Sequence, residues 1–204
     1  MLAITGASRP AIASRASAPA VQTTSDQSLI KGIADGDRRA MQLLYTRHNV
    51  RVYRFVLRPT GDPILAEDLV SEVFIDVWRQ AERFKSESQV STWLLAIARY
   101  KALSALRRRL EEQLDESAAV AIADPAADPE TPAHDQIRSA VVQNCLLKLS
   151  AVHREVLDLV YYHEKSVDEV AHIVGVPVST VKTRMFYARK QMEKLLGADG
   201  IDAL

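Results

Sequence analysis

The sequence predicts an all-α protein made of two small helical domains joined by a flexible acidic linker. Apolar residues recur at steps of three and four along most of the chain, and no stretch alternates as a strand does. Between two such regions lies a run of alanines, prolines and acids at 111–135, which is the composition of a linker. The stretch Ser166–Leu196 has the pattern of two helices joined by a tight turn.

The charge is balanced overall but distributed unevenly. The chain has 204 residues, with 26 basic and 26 acidic side chains. The segment 99–109 carries five basic residues and no acid, whereas 111–135 carries eight acids and no lysine or arginine. The neutral total therefore hides basic modules around an acidic tract, a pattern that permits binding to nucleic acid.

Several classes of function find no support in the sequence. The single cysteine, Cys145, excludes an internal disulfide, fits a reducing cytosol, and is interpreted as a small core residue. No apolar run is long enough to span a bilayer, so no membrane insertion is expected. The five histidines lack zinc-binding spacing, and there is neither a glycine-rich phosphate loop nor a nucleophile elbow. We therefore predict no catalytic residue, no metal and no cofactor.

The N-terminal segment Met1–Thr24 is rich in Ala, Ser, Thr and Pro, and its only charges are two arginines. This composition resembles a transit peptide, but it also fits a disordered extension or an upstream start codon. We favour a disordered extension.

The first ordered elements are predicted from capping residues. Ser25 and Asp26 can begin a helix that Gly36 breaks, and Asp37 can cap a longer helix that follows. The residues 59–63 should form a turn, in which Asp62 caps the next helix and Pro63 takes its first position.

The next helix, predicted from Pro63 to Phe84, carries apolar and acidic residues together. Leu65, Leu69, Val73 and Val77 form one face, and acids accompany Phe74 and Trp78 around the rest. Exposed aromatic side chains beside carboxylates indicate a protein interface. Packing of Trp78 in the core is the alternative, and the periodicity alone leaves it open.

A polar loop, Lys85–Gln89, precedes a helix predicted over Val90–Arg109. Arg107, Arg108 and Arg109 exceed what capping of a helix C-terminus needs, and they favour phosphate binding over a merely solvated surface. The linker could begin with a short helix. Helical spacing returns at Gln136, and Ser150 is a candidate cap for the following helix.

The closing motif indicates a DNA-binding helix-turn-helix. Ser166 and Glu169 are spaced as a capping box, Gly175 permits a positive φ, and Pro177 suits the start of a second helix. The apolar side of that second helix consists of Val178, Val181, Met185, Ala188, Met192 and Leu195. Its other side carries Ser179, Lys182, Thr183, Phe186, Tyr187 and Lys190, flanked by Arg184 and Arg189. Cations for phosphates and polar tips for base edges are what a major-groove helix needs, and the turn spacing disfavours an ordinary helical hairpin.

Two motif sets standing in this order resemble a bacterial RNA polymerase sigma factor of the extracytoplasmic-function (ECF) group. The segments on which this resemblance rests are EDLVSEVFIDVW, STWLLAIAR, the triple arginine and VDEVAHIVGVPVSTVKTRMFYARK. The resemblance covers about Ser25–Leu196 and implies sigma region two at 25–110, the linker at 111–135 and sigma region four at 136–197. Residues 1–24 and the tail 198–204 lie outside it.

The resemblance implies a non-enzymatic, cytoplasmic promoter-specificity subunit that binds core RNA polymerase and promoter DNA. The β′ clamp coiled coil and the β flap of polymerase would be its docking points, and an anti-sigma factor is expected to regulate it, as in a stress response. The implied polymerase-binding residues are Asp68, Ser71, Glu72, Phe74 and Trp78. The implied minus-ten residues are Lys85, Ser86, Ser88, Gln89, Ser91, Arg99, Tyr100, Lys101, Arg107, Arg108 and Arg109. The implied minus-thirty-five residues are Ser179, Lys182, Thr183, Arg184, Phe186, Tyr187, Arg189 and Lys190.

Two positions depart from the family pattern. Tyr100 stands where relatives commonly have an asparagine that hydrogen-bonds an extruded base, and a tyrosine offers stacking instead. Ser71 stands where many relatives have glutamine. Two other functions fit part of the pattern: a free-standing helix-turn-helix regulator, and a sigma-like decoy that sequesters a regulator.

Overall fold

The computed structural model describes residues 24–115 and 141–198, and all regular structure within these two stretches is helical. The all-α prediction is therefore confirmed for the described part of the chain. Most of the predicted N-terminal extension, most of the acidic linker and most of the C-terminal tail lie outside the described residues.

The first described stretch folds as a helical bundle. Its elements are α1 (Asp26–Ala34), α2 (Arg38–Thr60), α3 (Pro63–Gln80), a 3₁₀ turn (Ala81–Arg83) and α4 (Val90–Asp115). Helices α2, α3 and α4 pack against one another, and α1 packs across α2. The side chains of Leu44, Val56, Val73 and Leu95 are fully buried between them and form the centre of the core.

The second described stretch is smaller and carries the helix-turn-helix. A helix at 141–147, here α5, precedes α6 (Ala151–Tyr161), α7 (Val167–Val174) and α8 (Val178–Ala198). Val156, Leu159, Val170 and Val181 are fully buried where α6, α7 and α8 meet. The apolar side predicted for α8 is thus the side that faces the core.

Short side-chain caps begin these helices as the sequence predicts. Asp37 accepts a hydrogen bond from the backbone N–H of Arg39 (2.7 Å), and Asp62 accepts one from that of Ile64 (3.1 Å). Each satisfies an N–H group that has no partner within its helix. Gly175 ends α7 in the left-handed conformation, with φ of 71°.

Three predicted boundaries are wrong. Pro59 lies inside α2 rather than in a turn, because the helix runs on to Thr60 and ends at Gly61, whose left-handed φ of 62° and N–H bond to Leu57 close the last turn. Helix α3 ends at Gln80, and the chain to Phe84 tightens into the 3₁₀ turn. Helix α4 continues six residues past Arg109, to Asp115, which fits the short helix considered for the start of the linker.

The capping box at the start of α7 gives a first testable prediction. Ser166 Oγ accepts from the N–H of Glu169 (3.2 Å), and Glu169 accepts in return from the N–H of Ser166 (3.0 Å). We expect Ser166→Ala to lower the free energy of unfolding by about 1 kcal/mol in urea denaturation. Ser150→Ala is the matched control, because Ser150 occupies the cap of α6 without any side-chain capping bond. Equal losses in the two variants would contradict a specific role of the box.

The two halves are packed against each other, with α7 lying along α4. Polar side chains cross the contact: Arg99 pairs with Glu155 on α6, Arg58 of α2 pairs with Asp158, and Lys165 reaches α4. An edge-to-face ring contact at 5.3 Å joins Phe55 to His163. This inter-domain contact is defined by α2 and α4 on one side and by α6, α7 and the loop between them on the other.

Candidate polymerase and promoter interfaces

The outer face of α3 presents acids in solvent. Asp68, Ser71 and Glu72 are exposed, and Trp78 is 39% exposed at the far end of the same helix. In the described part of the chain Asp68 makes no ion pair. The exposed side of α3 therefore offers carboxylates and one aromatic side chain to a partner.

Phe74 does not belong to that exposed face, and its expected exposure is wrong. Only 4% of Phe74 is accessible, and its ring packs edge-on against Tyr45 of α2 at 4.8 Å. Ala66 and Val70 precede it at steps of four and are buried as well. This second apolar stripe was present in the sequence and could have placed Phe74 in the core.

Lys101 links the two predicted interfaces. Its ammonium group lies 2.9 Å from Asp76 and 3.2 Å from Glu72, so a residue implied in DNA binding is paired with two acids of α3. The hydrogen bond with Asp76 is the main reason that the pKa of Lys101 is raised, and the bond with Glu72 adds to it. In this conformation Lys101 organises the α3–α4 surface rather than standing free.

The predicted minus-ten residues divide into exposed and covered groups. In the loop before α4, Lys85, Ser86 and Gln89 are exposed, Ser88 is half-buried, and Ser86 has a left-handed φ of 57° that a non-glycine residue rarely adopts. Ser91 is buried instead, and its hydroxyl group accepts a hydrogen bond from Lys165 of the second half (2.6 Å).

Arg99 is also engaged within the chain. Its Nε and Nη2 atoms donate to the two carboxylate oxygens of Glu155, at 2.7 and 3.3 Å. Such a paired geometry is how a guanidinium group also binds phosphate. The carboxylate of Glu155 thus occupies the edge of Arg99 at which a phosphate group could bind in the same way.

The remaining minus-ten candidates face solvent along α4. Tyr100 is 70% exposed, which leaves its ring free to stack on a base. Arg107 and Arg108 are exposed, with Arg108 only loosely paired to Glu112 at 3.9 Å. Arg109 turns back to Asp62, 3.4 Å away, and so helps to hold the start of α3.

Helix α8 displays the predicted basic and aromatic face to solvent. Val181, Met185 and Ala188 are buried beneath it, and Arg184 is half-buried at its edge. The exposed residues of this face are Ser179, Lys182, Thr183, Phe186, Tyr187, Arg189 and Lys190. Helices α6 and α7 pack against the other side of α8, so this row lies on the solvent side of the helix-turn-helix.

Two contacts order part of this face. The rings of Phe186 and Tyr187 lie edge-to-face at 5.4 Å. Arg189 donates to the hydroxyl oxygen of Tyr161 (3.0 Å), so α6 holds this guanidinium group at the rim of α8. Tyr161, which was not predicted from the sequence, thus supports the basic and aromatic face of α8.

The residues of the inter-domain contact were not predicted either, because no local sequence pattern distinguishes them from ordinary surface residues. Lys165 is 4% exposed, and it donates to Ser91, to Thr92 (3.0 Å) and to Glu169 (3.1 Å). Burial alone would raise the pKa of Glu169, but hydrogen bonds from Thr92, the Ser166 backbone and Lys165 outweigh it and lower the pKa to about 2. Glu169 is therefore a fixed negative charge under Lys165.

Comparisons with known proteins match both halves. The family model described as Sigma-70 region 2 matches residues 44–111, and that described as Sigma-70, region 4 matches residues 139–192. The chain is 28% identical over 177 residues to the ECF RNA polymerase sigma factor SigL of Mycobacterium tuberculosis, covering 84% of this chain and 97% of SigL. It is 30% identical over 175 residues to the ECF RNA polymerase sigma factor SigK of Mycolicibacterium vanbaalenii, covering 83% and 88%.

Solved structures share the fold. The sigma factor RpoE of Bartonella quintana, in complex with the anti-sigma factor NepR, superposes with a TM-score of 0.66 at 24% identity, over 76% of this chain and 95% of that one. CnrH, in complex with the cytosolic domain of CnrY, gives a TM-score of 0.63 at 25% identity, over 86% and 99%. Among the described residues, no helix has both the length and the apolar character needed to cross a membrane.

Proposed function

The chain belongs to the ECF group of RNA polymerase sigma factors, and on that premise we propose which of its surfaces meet polymerase and which meet DNA. It is a promoter-specificity subunit that directs transcription initiation, and it is not an enzyme. The first helical bundle serves as sigma region two and the second as sigma region four. Its place of action is the cytoplasm, where polymerase and chromosome are found.

The polymerase-docking surface in this proposal is the outer face of α3. Asp68, Ser71, Glu72 and Trp78 present charge and one aromatic anchor to the β′ clamp coiled coil, while region four contacts the β flap. Exposed acids support this role, since they steer association with a basic partner and fix its register. Phe74 contributes from beneath by packing, not by contact.

Promoter DNA is read at two separate places. Helix α8 enters the major groove of the minus-thirty-five element with its exposed basic and aromatic row. The loop 85–89 and the exposed side of α4 bind the opened minus-ten element, with Tyr100 stacking on an unpaired base. The observation that carries this proposal is the exposed face of α8, displayed in the same chain as the acidic face of α3.

An anti-sigma factor is the proposed regulator. The RpoE structure, which shares this fold, was solved with the anti-sigma factor NepR bound. We place the regulator at the exposed surfaces of the two halves, where it competes with polymerase.

Run-off transcription with purified core polymerase tests the function directly. The chain should direct initiation from a defined promoter class, and deletion of either promoter element should lower the transcript. Promoter binding by the chain alone, with no transcript when core polymerase is added, would favour a free-standing helix-turn-helix regulator. Partner binding that survives removal of the basic row on α8, again without a transcript, would favour a decoy.

A further inference from the structure

The last residue of α6, Tyr161, reaches the basic face of α8. Tyr161 is 58% exposed, and its hydroxyl oxygen accepts a hydrogen bond from Nε of Arg189 at 3.0 Å. The guanidinium carbon of Arg189 lies 5.8 Å from the centre of the Tyr161 ring, within the range of a cation–π contact. Two contacts from one tyrosine therefore hold a long side chain that stands in solvent.

The atoms that Tyr161 engages leave the rest of the guanidinium group open. A guanidinium group has five N–H donors, of which Nε carries one and the two Nη atoms carry the others. Arg189 is exposed and makes no ion pair within residues 24–115 and 141–198. Its terminal nitrogens thus present to solvent a fork that fits two oxygens of a phosphate group. Arg99 differs, because Glu155 already occupies its Nε and Nη2 atoms.

The position of Arg189 along α8 points to the DNA backbone rather than to base edges. Arg189 comes eleven positions after Val178, the first residue of α8, which is about 16 Å along the helix axis. The major groove is about 12 Å wide, and a recognition helix contacts bases with its N-terminal residues. A helix that enters the groove by its first turns, where Lys182 lies, brings Arg189 to the phosphates at the rim.

A fixed guanidinium group binds a phosphate better than a mobile one. An arginine side chain loses rotamer freedom when it is immobilised, and that loss opposes binding. Tyr161 imposes part of the order before DNA arrives, and it does so from a rigid element, since Val156 and Leu159 of α6 are fully buried. More of the attraction between Arg189 and a phosphate therefore remains for promoter binding.

We propose that Tyr161 is a positioning residue, which fixes Arg189 as a contact to a backbone phosphate beside the minus-thirty-five element. The ligand is a DNA phosphate, and the contribution is affinity that does not depend on base sequence. The proposal rests on the function proposed above, because it needs α8 in the promoter groove. It divides the row on α8 into a base-reading part near Lys182 and a backbone-binding part at Arg189.

Removal of a single hydroxyl group tests the role of Tyr161. Holoenzyme is assembled from core polymerase and the full chain, and its dissociation constant for promoter DNA is measured by fluorescence anisotropy. Tyr161→Phe should weaken binding about two- to tenfold, as expected for the ordering of one long side chain, and equally on matched and altered minus-thirty-five elements. Tyr162→Phe is the matched control, because it removes the same group from the next residue, whose ring faces Arg58 of α2.

A double-mutant cycle shows whether Tyr161 acts through Arg189. Arg189→Ala should weaken binding further and lower the slope of log affinity against log salt concentration by about one. Tyr161→Phe should then have no additional effect in the Arg189→Ala background. An equal loss in both backgrounds would show that Tyr161 does not act through Arg189 and would overturn the proposal. A loss confined to one base pair would assign Arg189 to a base and exclude the phosphate contact.

Nuclear magnetic resonance of the free chain separates this inference from the proposed function. The Nε–H proton of Arg189 should exchange slowly with water in the parent chain and in Tyr162→Phe, and rapidly in Tyr161→Phe. If it does so while the parent holoenzyme yields no promoter-dependent transcript, the proposed function is wrong, and the phosphate contact with it, although the Tyr161–Arg189 bond remains. If the holoenzyme transcribes and Tyr161→Phe binds promoter DNA as tightly as the parent, the function stands and the positioning role is wrong.

Discussion

Core polymerase is expected to bind the Asp68→Ala, Glu72→Ala double variant at least about thirtyfold more weakly than the parent chain. Loss of one partner from a close interfacial charge pair costs about 2–5 kcal/mol, and 2 kcal/mol corresponds to about thirtyfold. Both acids lie on the exposed side of α3, one helical turn apart. The effect should appear in the dissociation constant measured by fluorescence anisotropy at physiological ionic strength.

The fold should survive this change. Asp68 makes no ion pair among the described residues, and Lys101 keeps Asp76 at 2.9 Å when Glu72 is removed. A matched control is Glu82→Ala with Glu111→Ala, which deletes two exposed acids from the same half and leaves the face of α3 intact. Equal binding of polymerase by the two double variants would show that net charge, and not this surface, governs association.

Local sequence patterns were sufficient to predict most of the helical elements. Helix caps and left-handed turns depend on neighbours within four residues, so a local sequence pattern is enough to predict them. This applies to the caps Asp37, Asp62 and Ser166 and to the left-handed Gly175. The exposed side of α8 followed from its apolar spacing for the same reason. The position of Pro59 inside α2 was not predicted, because a proline near the C-terminal end of a helix disrupts little beyond one hydrogen bond.

Contacts between the two halves could not be predicted in this way. Arg58 and Asp158 are 100 positions apart, and Lys165 and Ser91 are 74 apart. A lysine in a polar turn normally points to water, and only the arrival of α4 makes Lys165 a buried group. Phe74 is an intermediate case. The apolar spacing that includes it is visible in the sequence, but the ring that packs against it, Tyr45, belongs to another helix.

Lys182→Ala is expected to weaken promoter use in the holoenzyme by about 1–3 kcal/mol, or roughly five- to over a hundredfold, if its ammonium group reaches a base edge. Lys182 is exposed on the second turn of α8, one residue beyond the buried Val181, so its side chain leaves the helix where a groove would lie. Run-off transcription on promoters with matched and altered minus-thirty-five elements measures the loss. Lys194→Ala removes the same charge from an exposed site three turns further along α8 and serves as the control.

Salt dependence separates a base contact from a phosphate contact at Lys182. A base contact predicts a loss concentrated on one promoter position, with relaxed specificity there. A phosphate contact predicts a similar loss on every sequence and a fall of about one in the slope of log affinity against log salt concentration. Unchanged output on all promoters at all salt concentrations would exclude Lys182 from the DNA interface, and the docking of α8 would then have to rest on the arginines and aromatic rings further along the helix.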